Sequence, residues 1–236
     1  MAWRCSAQSN AALCENLAST GIVSRGPLLT ALVATDRGHF FSPGLAANVI
    51  YQDAPHPIGF GATISAPHMH AGVVEALSSK LVPGSRVLDV GSGTGILLGV
   101  FARLVCGADG GKVVGVEHVP ELARSSLANL RESAAAGGGV LAAALARGCV
   151  EVVVGDGRAG YSPAGPYDAI HVGAAAPTLP PALVEQLAPG GVLIIPVGEE
   201  EQELLEVTKG ADGRVVQRVL MGVRYVPLTD LRHQLQ

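Results

Sequence analysis

The chain of 236 residues is 48% hydrophobic, enough to bury the core of one α/β domain with a small extension. Its 16 Lys and Arg against 20 Asp and Glu leave a net charge of −4, so the composition supplies no clustered cation for nucleic acid or an anionic membrane. No apolar stretch approaches the roughly 20 residues that span a bilayer, and Met1 to Leu17 lacks the apolar centre of a signal peptide, so a soluble, cytoplasmic protein is expected.

In chain order, apolar residues recur at roughly helical spacing over Ala11–Leu17 and Pro27–Ala34, with Gly21 and Gly38 as punctuation. This predicts short helices in an N-terminal extension over residues 1–50. Tyr51 to Pro67 carries Pro55, Pro57, Gly59, Gly61 and Pro67 without sustained periodicity and reads as a long loop, a kind of segment in which function concentrates. Beyond Gly84 come short apolar runs at Arg86–Val90, Lys112–Val116, Val150–Val154, Tyr167–Val172 and Val192–Pro196. Helix-compatible segments Ile96–Val105, Glu121–Arg131 and Pro181–Leu187 lie between most of them. Strands alternating with helices predict an α/β fold with a doubly wound, mainly parallel sheet, and near-continuous Val and Ile runs suit strands buried on both faces. The Ala- and Gly-rich stretch Ser133–Gly148 reads as a surface insertion. Glu203–Thr208 and Arg214–Leu220, separated by Ala-Asp-Gly at 211–213, read as an antiparallel hairpin that closes the sheet. The expectation is a single domain over 1–236, with its core and C-terminal segment in 84–236. Cys5, Cys14, Cys106 and Cys149 form no C-x-x-C pair and no zinc-like spacing with histidine, so reduced thiols and no metal site are expected.

The run V-L-D-V-G-S-G-T-G, Val87–Gly95, puts Gly91, Gly93 and Gly95 at the end of the first of these strands and before a helix. Glycine there admits positive φ and close approach of the backbone to a ligand, so the loop can grip a cofactor; a bare strand-to-helix turn is the alternative. Glu117 ends the next strand about where doubly wound folds place a ribose-binding carboxylate, although a solvated strand-end acid explains that residue taken alone equally well. Gly-Asp-Gly at 155–157 offers Asp156 to accept from an amino group and Gly157 to admit an aromatic ring, the two features of adenine. A dinucleotide would call for G-x-G-x-x-G, and here the third glycine comes one residue early. Asp89, before the loop, also suits a cofactor with a cationic amino-acid end better than a pyrophosphate, because like charges repel.

The pattern D-x-G-x-G-x-G, followed by an acid ending the next strand, resembles class I S-adenosylmethionine-dependent methyltransferases. L-A-P-G-G-V-L-I-I-P, Leu187–Pro196, resembles their turn into a later strand. Within that class, G-A-T-I-S-A-P-H-M-H-A, Gly61–Ala71, resembles the active-site segment of the protein L-isoaspartyl O-methyltransferases and makes 51–71 the candidate active-site loop. The resemblance extends through A-T-D-R at 34–37, G-D-G-R-A-G-Y at 155–161, P-Y-D-A-I-H-V-G-A-A-A-P at 166–177 and M-G-V-R-Y-V-P-L-T-D at 221–230, and so covers nearly the whole chain. It implies a Rossmann-like methyltransferase fold, S-adenosyl-L-methionine as cofactor and S-adenosyl-L-homocysteine as its product. It also implies damaged peptides and proteins carrying L-isoaspartyl residues as partners; a monomer is the expectation, although the sequence itself does not give the oligomeric state. By the same resemblance Ser65 matches the active-site serine, and Ile64, Ser65, Ala66 and Pro67, with His70, line the cofactor's reactive end. Gly91, Glu117, His118, Asp156 and Gly157 match positions around the sugar and adenine, and Thr229 and Gln234 match C-terminal residues that fold back near the site. Two positions depart from the pattern. Glu117 is a methylene longer than the aspartate common in relatives, and Gly61 stands where a larger polar residue is usual. Residues 133–148 have no clear match.

The implied reaction moves a methyl group from a sulfonium to a carboxylate oxygen by in-line displacement. A peptide carboxylate, with a pKa of roughly 3.5 to 4, is already ionised at neutral pH. No general base is needed, and the requirement is orientation, which contributes up to about 7 to 11 kcal/mol when reactants are held at near-attack distance. Ser65 then acts as a hydrogen-bond donor that aims the carboxylate. A serine hydrolase would need a G-x-S-x-G elbow, which is absent, and a His-x-His pair such as His68 and His70 is weak evidence for metal. His68 is as readily structural as functional. The rivals are a methyltransferase for a small carboxylic acid, separated by an acceptor assay, and a cofactor-binding adaptor without turnover, which the intact Ser65 and glycine loop disfavour.

Overall fold

A computed structural model describes residues 5–108, 110–137 and 139–234. The chain begins with α1 (Asn10–Ser19), α2 (Pro27–Ala34) and α3 (Ala47–Ile50), then β1 (His56–Gly59), β2 (Ala62–Ile64) and α4 (Pro67–Ala76). There follow β3 (Arg86–Val90), α5 (Ile96–Val105), β4 (Lys112–Glu117), α6 (Pro120–Gly137), α7 (Gly139–Ala146), β5 (Val150–Val154) and β6 (Tyr167–Val172). The chain continues through α8 (Pro181–Gln186), β7 (Leu187–Val197), β8 (Gln202–Lys209), β9 (Val215–Val223) and α9 (Leu231–Gln234). Proline opens α2, α4, α6 and α8, at a position where an N–H would have no helical partner. Ser9 caps α1 by accepting from Ala12 N at 3.3 Å.

The main sheet runs in the order β5-β4-β3-β6-β7-β8-β9. The first five strands pair in parallel and the last two join antiparallel, as the alternating runs and the closing hairpin predict. Chain order reverses at β3, with β4 and β5 on one side and β6 and β7 on the other. In an open parallel sheet this opens a ligand crevice beyond the carboxyl ends of the strands at the switch, here β3 and β6. Alternate residues serve opposite faces. Val87, Val113, Ala169 and Ile194 join one core with Val74 of α4 and Phe101 of α5. Leu88, Val114, Ile170 and Leu193 join the other with Leu183 of α8. By the same alternation Asp89 and His171 point to the face of Val87 and Ala169. Leu88 is fully buried, and truncating such a residue to alanine costs about 2 to 5 kcal/mol.

Two expectations are corrected. Tyr51 to Pro67 is not loop throughout: His56 and Pro57 pair with Ile64 and Thr63 in an antiparallel hairpin whose register shifts before Gly59, and Phe60 turns it at φ 54°. Strands this short, one of them carrying a proline, show no readable alternation. Ser133 to Gly148 is not a surface insertion either. Helix α6 continues to Gly137 and α7 follows it, with Ser133, Leu141 and Ala144 fully buried. Alanine is the strongest helix former, and its small side chain lets α7 lie close against α5 and α6. No helix among the described residues is long and apolar enough to cross a membrane.

Candidate active site

The crevice beyond β3 and β6 is a trough made of two adjoining pockets that share Ile58 and Thr63 of the hairpin, Gly91 and Gly93 after β3, and Gly173 after β6. Gly93 has φ 52°, a conformation that residues with side chains rarely adopt, and its N–H donates to Glu117 Oε2 at 2.9 Å. Glu117 Oε1 accepts from Val119 N at 2.9 Å. The carboxylate is thus locked at the carboxyl end of β4 with the residue only 5% exposed, which rules out a solvated strand-end acid. Beside it, His118 Nε2 lies 2.8 Å from Gln234 Oε1, and Gln234 Nε2 donates to Phe60 O at 2.9 Å. One amide therefore ties the C-terminal segment both to the end of β4 and to the hairpin tip. Gly157 lines this end of the trough, and a Cβ there would fall 2.3 Å from Val90 Cγ1.

At the other end Asp89 and His171 stand in register on β3 and β6, both buried, with Asp89 Oδ1 2.6 Å from His171 Nδ1. His70 of α4 lies beside them. Its burial, with Arg37, His171 and His68 nearby, holds its pKa well below the ordinary histidine range, so the ring is neutral. His70 Nδ1, Ser92 Oγ and Thr94 Oγ1 are buried polar atoms without a hydrogen-bond partner among the described residues. Leaving such a group unsatisfied costs about 1 to 3 kcal/mol. All three residues border the trough, where they present a ready set of contacts for a polar ligand end.

Ser65 lines this same end, on the link between β2 and α4. Its main chain is held by charges. The buried Arg37 donates Nη2 to Ser65 O at 2.9 Å and Nε to Ile50 O at 3.1 Å. Burial pulls the guanidinium pKa down to about 9 against the opposing charge of Asp53, which still leaves it cationic at neutral pH. Asp53 Oδ1 accepts from His68 N at 2.9 Å and lies 2.8 Å from His68 Nδ1. His68 is therefore part of a clamp on the first turn of α4.

Of the residues expected from sequence, Ile64, Ser65, His70 and Gly91 border the Asp89 end of the trough, and Gly91, Glu117, His118, Gly157, Thr229 and Gln234 border the other. Ala66 and Pro67 do not line it; they are buried at the start of α4. Asp156 does not line it either. Its exposed carboxylate is engaged by Arg158, with Nη2 at 2.7 Å, and the hydrogen bond from Arg158 is the main cause of its lowered pKa. The same guanidinium reaches Asp230 in the C-terminal segment. Sequence reasoning assigned no role to His171, Arg37, Asp53, Ile58 or Thr63. A signal for His171 existed: a histidine inside a buried parallel strand requires a polar partner, and Asp89 is the acid at the same register on the neighbouring strand.

A sheet of this order, with a glycine loop after β3 and an acid ending β4, defines a Rossmann-like methyltransferase fold. Residues 8–233 match the family model described as Protein-L-isoaspartate(D-aspartate) O-methyltransferase (PCMT), and the chain belongs to this family. It is 49% identical to protein-L-isoaspartate O-methyltransferase 1 of Arabidopsis thaliana over 98% of this chain and 96% of that protein. It is 40% identical to the protein-L-isoaspartate O-methyltransferase of Caenorhabditis elegans over 99% of this chain and 98% of the relative. Among solved structures it is similar to a Plasmodium falciparum chain described as a protein-L-isoaspartate O-methyltransferase in complex with S-adenosyl-L-homocysteine. That match has a TM-score of 0.82 and 33% identity, covering 94% of this chain and 98% of the other.

Proposed function

We propose that the chain transfers the methyl group of S-adenosyl-L-methionine to the free α-carboxylate of L-isoaspartyl residues in damaged peptides and proteins, leaving S-adenosyl-L-homocysteine. The observation that carries this reading is the adjoining of two pockets, one bordered by Glu117 and His118 and the other by Ser65, which share Ile58, Thr63, Gly91, Gly93 and Gly173 as common walls. The cofactor, when bound, supplies an electrophilic methyl group on a cationic sulfonium. The residues present fit it. Glu117, oriented by Gly93 and Val119, accepts from the ribose hydroxyls, and Gly157 leaves room for a flat base. Asp156, outside the lining but next to Gly157, keeps acceptor capacity beyond its bonds to Arg158 and serves an adenine amino group that projects past Gly157 at the rim. Asp89, with the unpartnered polar atoms of His70, Ser92 and Thr94, receives the amino-acid end.

In this reading Ser65 donates to one oxygen of the acceptor carboxylate and turns the other toward the methyl group. The acceptor arrives ionised, so no side chain has to remove a proton. Ala66 and Pro67 act by fixing the main chain next to Ser65, and Thr229 and Gln234 close the C-terminal segment over the sugar end. Esterification gives the acceptor a better leaving group; attack by the following amide nitrogen then closes a succinimide, and its hydrolysis returns part of the material as normal aspartate. We place the protein in the cytoplasm as a monomer that does not bind nucleic acid. The net charge of −4 supports the last point, and burial that pushes the Cys14 and Cys106 thiols up to about 12 supports their persistence as thiols.

Incubation with methyl-labelled cofactor tests the function. Label should enter an isoaspartyl peptide in a form that is lost as methanol at alkaline pH. Label entering free small acids alone, or cofactor binding without any transfer, would refute it.

A further inference from the structure

We propose that Arg37 is a positioning residue for methyl transfer, its guanidinium holding the Ser65 main chain so that the Ser65 hydroxyl meets the acceptor carboxylate, and that through it the N-terminal extension forms part of the acceptor site. The proposal rests on the methyl-transfer reading and deepens it.

Ser65 stands where regular structure gives it no support, because β2 ends at Ile64 and α4 begins at Pro67. The two residues between them, Ser65 and Ala66, lie outside the strand and the helix, and Ala66 supplies no side-chain cap. Arg37 provides the missing tie. Its Nη2 donates to Ser65 O at 2.9 Å and its Nε to Ile50 O at 3.1 Å, so one planar fork joins this link to the end of α3. The fork is itself braced. Arg37 opens a single helical turn, Arg37–Phe40, and its N donates to Asn10 Oδ1 at 3.3 Å. Asn10 of α1 in turn donates Nδ2 to Leu32 O and Val33 O of α2, at 3.1 and 3.0 Å. The guanidinium carbon sits 5.2 Å from the centre of the Phe41 ring, and that ring lies 5.4 Å from the ring of His56, the residue that pairs with Ile64 in the hairpin.

The carbonyl and the Cβ of a residue leave the same tetrahedral carbon, so a fixed Ser65 carbonyl confines Oγ to the few positions that the χ1 rotamers allow. The tie is a costly one to make with a charge. Arg37 is only 2% exposed, and among the described residues the charge that opposes it, Asp53, makes no hydrogen bond to it: Asp53 Oδ1 is taken by His68, and Asp53 Oδ2 and Arg37 Nη1 are both without partners. A buried charge paired this incompletely destabilises the fold. When an anionic acceptor binds the serine to which that cation is bonded, their attraction offsets part of the cost. A lysine in its place would keep the charge but would lose the planar fork that reaches two carbonyls at once.

Steady-state kinetics on an isoaspartyl peptide with Arg37→Lys, Arg37→Ala, Ser65→Ala and the double variant of Arg37→Lys with Ser65→Ala test the proposal. Thermal melting and titration with S-adenosyl-L-homocysteine accompany them, and each assay is run below the melting temperature of its variant. Arg37→Lys should lower kcat about tenfold or more, the scale of one hydrogen bond from a charged group, while affinity for S-adenosyl-L-homocysteine stays within about twofold. In the Ser65→Ala background the same change should have little further effect on kcat. Added methylguanidinium should restore part of the kcat of Arg37→Ala and leave that of Arg37→Lys unchanged. Full turnover by Arg37→Lys, equal losses in both backgrounds, or cofactor affinity that falls in step with kcat would overturn the proposal and leave the functional reading standing. Failure of both Arg37 variants to fold would make the residue a strut of the fold alone and would overturn it too. Failure of the unaltered chain to methylate the isoaspartyl peptide would overturn that reading and the proposal with it.

Discussion

Asp89 Oδ1 lies 2.6 Å from His171 Nδ1 across two parallel strands at the same register, and both side chains are buried at the Ser65 end of the trough. The bond fixes the direction of the carboxylate and leaves its second oxygen for a cationic ligand group. His171→Asn, which retains an N–H donor near the same place, should preserve affinity for S-adenosyl-L-homocysteine, whereas His171→Phe should weaken it about tenfold or more, since hydrogen bonds to charged groups contribute about 1.5 to 3 kcal/mol. An analogue lacking the α-amino group should be indifferent to the Phe change. Equal losses for both ligands in calorimetry would show a general collapse of the pocket instead.

Ser65→Ala should lose roughly 10²-fold in kcat, because small misplacement of reacting groups is expensive in rate, while fold and cofactor affinity persist. A serine that only capped the loop would cost about 1 kcal/mol of stability and leave turnover intact. A covalent nucleophile would give ping-pong kinetics and a trappable intermediate. Ser65→Thr keeps the donor but crowds the link to α4, so its rate should fall between wild type and Ser65→Ala.

Glu117→Ala should weaken S-adenosyl-L-homocysteine binding about tenfold or more. It should also lower the melting temperature, because Gly93 N and Val119 N lose their acceptor. Gly157→Ala places a methyl 2.3 Å from Val90 Cγ1. Overpacking of that kind costs about 1 to 3 kcal/mol, and both melting temperature and cofactor affinity should fall. Unchanged binding by folded Glu117→Ala would remove that residue from the site.

The ends of the trough were legible in the sequence for different reasons. Gly91, Gly93 and Glu117 sit at fixed offsets from strand ends, so the periodicity of β3 and β4 located them, and Ser65 was carried by a contiguous motif. His171 and Arg37 were not legible in this way, because their importance depends on partners far along the chain: Asp89 is 82 residues from His171, and Ser65 is 28 residues from Arg37. Asp156 illustrates the converse. Its position after β5 was read correctly, but Arg158 two residues on and Asp230 in the C-terminal segment compete for its surroundings, and no local pattern shows that competition. The alanine-rich stretch hides its helices because helix periodicity is invisible where the two faces of a helix differ little in polarity, even though Leu141 and Ala144 form the buried side of α7.

The buried His70 gives a pH dependence of stability with a definite sign. Its folded pKa lies well below the 6.5 of the free side chain, chiefly through burial. Between those values the unfolded chain binds more protons, so stability rises with pH through the window and is lost as pH falls below 6.5, by up to about 1.4 kcal/mol per pH unit. The melting temperature of the wild type should therefore fall more steeply than that of His70→Asn between about pH 7.5 and pH 5.5. Parallel curves would contradict a neutral, buried His70.

The most direct test of the central claim is kcat/KM for methyl transfer to two peptides of one sequence, one with an L-isoaspartyl and one with an L-aspartyl residue, in competition in a single tube with labelled S-adenosyl-L-methionine. A trough that ends at Ser65 and receives a free α-carboxylate predicts transfer to the isoaspartyl peptide, with the aspartyl isomer left essentially unmodified. Equal rates on the two isomers, or no transfer to either, would contradict the account.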